Sequence, residues 1–279
     1  MSEAAAPSVA AQPQVDRALA RKLEAAHGWC VRQFATSLAS LRPQLGATVT
    51  EVGGGVAIYA GPSAFSFAVG LGMDAPVTDF ELDEVEAFFM TRNVPVRVDV
   101  TPFTSESLSR GLDARCFRVS EITSVFVMNV RQGRFDHEAN SANVMLRPAR
   151  DEDVPAWVDM LAQCFYVAEP GANTRANMEA LFAVPGSLNT VVLLDGRMAG
   201  VSAGMIADDG EISTLFGSAV LPEYRGRGLH RAMLDFRLRA LKEAGRDLVM
   251  VTCTPGSASE RNLRRHGFLH CYEKVTYAR

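Results

Sequence analysis

The sequence predicts a mixed α/β (α+β) protein of two domains, each a central, mostly antiparallel twisted sheet flanked by helices. Three observations carry that expectation. Short apolar runs of strand length alternate along the chain with stretches whose apolar residues recur every three or four positions, the mark of amphipathic helices. With 279 residues the chain is long enough for two domains of ordinary size. A polar, aperiodic stretch from Arg131 to Ala142 breaks the pattern near the middle and reads as a linker. The expected division is a disordered leader over 1–13, an N-terminal helix with the first domain over 14–138, and the second domain over 139–279.

The elements follow in order. Leu19, Leu23, Ala26, Cys30, Phe34, Leu38 and Leu41 give a helical period from Val15 to Leu41, ended by Arg42-Pro43. Three β-like runs follow at 47–51, 56–60 and 64–70, punctuated by Gly53-Gly54-Gly55 and Gly61-Pro62. Asp79 to Met90 reads as a helix with an acidic first turn, then Val94–Val100 as a strand and Ser105–Gly111 as a short helix. Cys116–Val119 and Ile122–Val130 read as two strands. The second set opens with Val144–Arg147, followed by helices through Trp157–Phe165 and Arg175–Phe182. Thr190–Leu194, Met198–Ala207 and Glu211–Val220 form a meander turned at Asp195-Gly196 and Asp208-Asp209-Gly210. A helix over Leu229–Ala244, a buried-type strand at Leu248–Cys253, a short helix ending at Gly267 and strand sequence over Phe268–Tyr277 complete the chain.

Composition excludes several classes. Apolar residues at 48% and charged residues at 22% fit a soluble globular protein. The net charge of −4 opposes general binding to nucleic acid or to an anionic membrane, so neither is expected as a partner. The leader lacks a positive start and a continuous apolar core, and no apolar run is long enough to span a bilayer. Five scattered cysteines suit a reducing cytoplasm better than a disulfide scaffold. No His or Cys pair has ligand spacing, so no metal is expected. A homodimer is compatible with everything in the sequence.

One stretch carries chemistry. Val220-Leu221-Pro222-Glu223-Tyr224-Arg225-Gly226-Arg227-Gly228-Leu229-His230 joins a strand to a helix through a tight turn with two glycines and two arginines. Such a turn aims successive N–H groups, backed by the positive end of the helix dipole, at phosphate oxygens. It lacks the third glycine of a dinucleotide fingerprint and the Gly-Lys-Ser/Thr of a nucleoside triphosphate loop. It resembles the acyl-CoA loop of the GNAT superfamily of N-acetyltransferases, whose signature is Arg/Gln-x-x-Gly-x-Gly/Ala after Val-x-Pro. Val220, Pro222, Arg225, Gly226 and Gly228 match, and His230 stands where the family has Gly or Ala. The element order of 143–279 is also that of the family. Residues 45–130 repeat a shorter version of this order, with Gly72 to Asp79 in place of the loop and carboxylates where a phosphate would sit, so the first half reads as a degenerate GNAT-like domain without cofactor.

The resemblance implies a tandem GNAT protein with one active site. It implies acetyl-CoA as cosubstrate, held by the backbone of Arg225, Gly226, Arg227, Gly228, Leu229 and His230. It implies that backbone at Ala219, Val220 or Leu221 pairs with the pantetheine arm and polarises the thioester, a large electrostatic contribution in acyl transfer. It places Asn262, with Ser259 behind it, on the cofactor arm. The two helpers common in relatives are missing: the strand glutamate falls at Thr214 and the closing-helix tyrosine at Leu263. Glu211, His266, Tyr272 and Glu169 are the substitutes for acid and base. The implied activity is an acyl-CoA-dependent N-acyltransferase, acting on a primary amine of a small molecule or peptide by direct attack in a ternary complex. Two alternatives stay open: a catalytically silent acyl-CoA-binding regulator, and an N-acyltransferase for longer acyl chains.

Overall fold

The computed structural model describes residues 15–131, 133–137, 143–165, 171–207 and 212–279. It is a mixed α/β structure built on one large sheet flanked by helices. The described strands are β1 (Thr48–Val52), β2 (Gly55–Tyr59), β3 (Phe67–Val69), β4 (Arg97–Val100), β5 (Arg118–Asn129), β6 (Val144–Pro148), β7 (Thr190–Leu194), β8 (Arg197–Met205), β9 (Ile212–Val220), β10 (Leu248–Cys253) and β11 (Leu269–Ala278). The helices are α1 (Arg17–Leu41), α2 (Asp79–Met90), α3 (Glu106–Ala114), α4 (Val154–Phe165), α5 (Ala172–Phe182), α6 (Leu229–Glu243) and α7 (Ala258–Arg265). The two strands predicted between Cys116 and Val130 are one continuous strand, β5. Cys116, at φ 61°, belongs to the turn before it.

The sheets of the two halves are continuous, in the order β1-β2-β3-β4-β11-β5-β10-β9-β8-β7-β6. The chain reaches this order by an exchange. The last strand, β11, lies between β4 and β5 of the first half, while β5 pairs antiparallel with β10 of the second. The run β3-α2-β4-α3-β5 therefore matches β9-α6-β10-α7-β11, each ending in a strand that borders the other half. Burial explains why the central strands hold this register: Val125, Phe126 and Val127 of β5 and Val249 of β10 are fully buried, so both faces are covered.

Helix α1 covers the seam. Its N-cap Asp16 accepts a hydrogen bond from the Leu19 N–H at 2.8 Å. Its stripe of Cys30, Val31, Phe34 and Leu38 packs on Val56 and Ile58 of β2, on Ala180 and Leu181 of α5 and on Met205 of β8. The helix thus bridges first-half and second-half elements. The start of α2 is closed by its own side chains: Thr78 accepts from the Glu81 N–H, and the Glu81 carboxylate accepts from the Thr78 N–H at 2.7 Å. Those hydrogen bonds hold the Glu81 carboxyl below its ordinary range.

Candidate active site

The site begins where β9 and β10 part. They pair in parallel only from Ile212–Leu215 to Leu248–Val251, and beyond those residues they no longer pair with each other. A bulge lies at the point of parting. On the β8 side, Ala203 faces Phe216 but Val201 faces Ala219, so β9 carries one extra residue, and Gly217 takes φ 59°. Only a residue without Cβ adopts that angle without strain.

Arg237 of α6 pins the bulge from below. It is 1% exposed, and its guanidinium donates to the carbonyls of Ala203 (2.7 Å) and Phe216 (3.4 Å) and to Ser218 Oγ (2.7 Å). None of these partners is a carboxylate, and burial pulls the Arg237 guanidinium down to about 9.

The loop after β9 is built as a cradle. Pro222–Tyr224 form a single 3-10 turn, Arg225 is extended, and Gly226 (φ 77°) and Gly228 (φ 76°) are left-handed. Gly228 caps α6 and, having no side chain, offers no acceptor to the first-turn amides, which a helix cannot satisfy from within. These amides border a cavity of about 780 Å³, lined by Arg225, Gly226, Gly228, Leu229 and His230, by Ala219 and Val220, and by Ser259 and Asn262 of α7. A second cavity of about 400 Å³ runs into the V between the strands, with Arg237 in its lining. His230, Ser218, Ser257 and Ser259 border both. Among the described residues, neither lining contains a carboxylate, whereas Arg225, Arg231 and Arg265 line the larger cavity. The field there suits an anion.

The predicted residues divide between those that line the cavities and those that do not. Leu221 and Arg227 do not line either cavity. The Leu221 N–H donates to the Ala199 carbonyl at 3.1 Å, and strand alternation then turns the Val220 peptide groups away from β8, toward the opening. Of the three strand-end candidates, Val220 presents the backbone that can pair with a guest. Its carbonyl accepts from Arg225 Nε at 3.1 Å and from Cys164 Sγ at 3.9 Å. The Arg225 N–H is taken by the Pro222 carbonyl at 3.2 Å, so Arg225 offers its side chain rather than its amide.

His230 is largely buried. Burial, then the nearby Arg237 and His266, depress its imidazole to about 4, so it is neutral near pH 7. Its Nδ1 lies 3.4 Å from Asn262 Nδ2, a donor, which leaves Nε2 as the protonated nitrogen.

The substitutes for acid and base fare differently. Glu211 and Glu169 lie outside the described residues. Tyr272 is not part of either cavity: it is 4% exposed on β11, packs edge-on against Phe103, and donates its hydroxyl to Glu24 Oε1 at 2.8 Å. Burial and the Glu24 carboxylate raise its phenol above the ordinary range. Strand alternation points Tyr272 into the core, apart from both cavities. Thr214 is 5% exposed and sits 2.9 Å from Cys30 Sγ of α1, so the position where relatives carry a base is sealed. Leu263 is a core residue. His266 does line the larger cavity. Its Nδ1 lies 2.9 Å from the Asn262 carbonyl and its Nε2 3.1 Å from Asp235 Oδ1. Burial opposes ionisation of Asp235, but bonds from His266 and His137 outweigh it and hold the carboxyl below its ordinary range.

Arg237, Asp235 and Cys164 were missed by the sequence reading. The first two are polar positions on an amphipathic helix, and nothing local marks them as buried. Cys253, on β10, is half-buried with its thiol pushed up by burial, which gives no thiolate nucleophile.

A model of the acetyltransferase (GNAT) family matches residues 154–268. This stretch matches the GNAT acetyltransferase domain. The fold agrees across most of the chain with solved structures of low identity. A GCN5-related N-acetyltransferase from Kribbella flavida aligns at TM-score 0.63 and 15% identity, over 90% of this chain and 95% of its own. One from Sphaerobacter thermophilus aligns at TM-score 0.60 and 15% identity, over 84% and 75%. A tandem GNAT protein from the clavulanic acid biosynthesis pathway aligns at TM-score 0.51 and 15% identity, over 66% and 63%. At such identities the likeness concerns the fold. No curated protein matches the sequence. Among the described residues, no helix is long and apolar enough to cross a membrane.

Proposed function

We propose that the GNAT domain is an acyl-CoA-dependent N-acyltransferase, with acetyl-CoA as donor and a primary amine of a small molecule or peptide as acceptor. One observation carries the reading: β9 and β10 part at a pinned bulge, and the opening leads to a cradle of helix-start amides and arginines with no carboxylate among the described lining residues. The diphosphate would rest on the amides of Gly226, Gly228, Leu229 and His230, with Arg225 and Arg231 at the rim. The pantetheine arm would run into the V beside Val220, reached by Asn262 and Ser259. The neutral amine attacks the thioester carbon, a C–N bond forms, and the oxyanion takes the Val220 N–H. The C–S bond then breaks, the thiolate leaves, and the amine proton passes to water.

We also propose that the first half binds no acyl-CoA, because the start of α2 is already occupied by the Glu81 carboxylate. A second reading, a catalytically silent acyl-CoA-binding protein, is favoured by the absence of a carboxylate from the described cavity lining and by the sealing of Thr214. A general base contributes about 10²–10⁴-fold, so its loss slows transfer without abolishing it. Thiol release from acetyl-CoA, measured against a broad panel of amines, separates the two. Turnover on any amine supports the transferase, and tight binding without turnover supports the sensor. If acetyl-CoA fails to raise the melting temperature, both readings fall.

Arg237→Met tests the pinned bulge. It strips a charged donor from two buried carbonyls, a loss of about 2–3 kcal/mol. The urea midpoint should drop accordingly, and the KM for acetyl-CoA should rise as β9 relaxes toward β10. An unchanged KM in the folded variant would mean that the bulge holds without its arginine.

A further inference from the structure

We propose that His137, Asp235 and His266 form a binding site for a divalent first-row transition metal of the zinc class. The three residues are far apart in sequence, by 98 positions from His137 to Asp235 and by 31 from Asp235 to His266. This is why ligand spacing pointed to no metal. The fold brings them together from the segment after β5, from the middle of α6 and from the end of α7. One ligand atom from each lies within 4.8 Å of the other two. His137 Nδ1 is 2.9 Å from Asp235 Oδ2, and His266 Nε2 is 3.1 Å from Asp235 Oδ1. Two imidazoles and one carboxylate suit zinc, cobalt, nickel or ferrous iron, and not magnesium or calcium, which take oxygen ligands.

Hydrogen accounting calls for a cation here. A backbone carbonyl only accepts, so the 2.9 Å contact with the Asn262 carbonyl fixes a proton on His266 Nδ1. A neutral imidazole then presents a lone pair at Nε2, and that lone pair faces a carboxylate oxygen. The side chains of Asp235 and His266 are 1% and 5% exposed, so bulk water does not intervene. Two buried acceptors face each other only across a shared proton or a metal ion.

Two further features favour the metal. The Nδ1–H of His266 on a backbone carbonyl, and the Asp235 carboxylate held by the His137 backbone N–H at 2.8 Å, are the outer contacts that orient metal ligands. A proton would need only the His266–Asp235 pair, yet a second imidazole converges on the same carboxylate. The His137 side chain is 37% exposed, which leaves an open side for a water ligand.

The metal would act on the cleft through the chain. It would tie the 133–137 segment, already bonded to α6 by Arg239 to the Phe135 carbonyl (2.8 Å) and Lys242 to the Gly133 carbonyl (2.9 Å), to the end of α7. Asn262 of α7 is the residue that meets His230 in the larger cavity.

The test uses the full chain, free of affinity tag and dialysed against chelator. Zinc titrated calorimetrically should bind one equivalent and raise the melting temperature. Cobalt should give the visible d–d absorption of a low-coordinate nitrogen–oxygen site. His137→Ala, half-exposed and safe for folding, should lower zinc affinity at least tenfold and abolish the cobalt spectrum, and Asp235→Asn should do the same if it folds. No zinc heat and no cobalt spectrum in the wild type would overturn the site. So would wild-type affinity in His137→Ala, because zinc would then sit elsewhere, for instance on free cysteines. Nitrogen NMR showing both His266 nitrogens protonated in the presence of zinc would make the cation a proton alone and overturn it as well.

Discussion

Replacing Gly228 by glutamate is expected to abolish acyl-CoA binding and leave a folded protein. Gly228 holds φ 76° at the cap of α6, and as a glycine it supplies no capping side chain to that end of the helix. A side chain forced into the left-handed region costs about 1–2 kcal/mol, which a domain of this size survives. The larger effect is electrostatic. A carboxylate about 4 Å from a diphosphate charge, at an effective dielectric of about 20, is repelled by about 4 kcal/mol. That is roughly a thousandfold in affinity. Gly228→Ala isolates the backbone contribution and should lose less than tenfold. Calorimetry with acetyl-CoA gives both values, and circular dichroism checks the fold. Wild-type affinity in the glutamate variant would mean that the diphosphate binds elsewhere.

The contrast between the loop and its surroundings shows what sequence carries. The cradle was legible because its determinants are local: two glycines at positive φ, a Val-x-Pro lead and a helix start are all decided within eleven residues. The element order was legible from apolar periodicity. The exchange of β5 and β11 was not, because both strands have the pattern of a central strand, and their neighbours are chosen by pairing across more than a hundred residues. The same distance hid the partners of the candidate residues. Thr214 looked like a vacant helper position, and its cover is Cys30 of the first helix. Tyr272 looked available, and its hydroxyl is taken by Glu24, 248 positions away. Asp235 and Arg237 read as ordinary polar residues of α6 until packing put both at 1% exposure.

The other large effect is expected at the seam between the halves, in Lys274→Met. Lys274 is 3% exposed on β11, the strand that the second half lends to the first. Its ammonium donates to Glu24 Oε2 at 2.8 Å and to His27 Nδ1 at 3.0 Å, and lies 3.6 Å from Asp99 Oδ2. Burial, then Lys274, keeps the His27 imidazole well below its ordinary range, so it is neutral and accepts. Burial alone would depress Lys274, but Glu24 and Asp99 outweigh it and raise the ammonium. Removing this cation strands two buried carboxylates, a change worth about 3–5 kcal/mol. Methionine fills most of the volume, so the loss is electrostatic and must depend on pH. In the wild type, a folded-state pKa raised above the unfolded one gives stability that is complete below the unfolded value of 10.5 and fades as pH rises through the folded value. Asp99 already resists ionisation because it is buried. Without Lys274 only the hydrogen bond from Thr276 opposes that, so protonation relieves the variant as pH falls. The gap in urea midpoint between wild type and variant should therefore be widest near neutrality and narrow toward about pH 5. A gap independent of pH would assign the loss to packing. No gap at all would mean that the seam holds without its ion pairs, and the exchange of strands would then rest on the apolar contacts of β5, β10 and α1 alone.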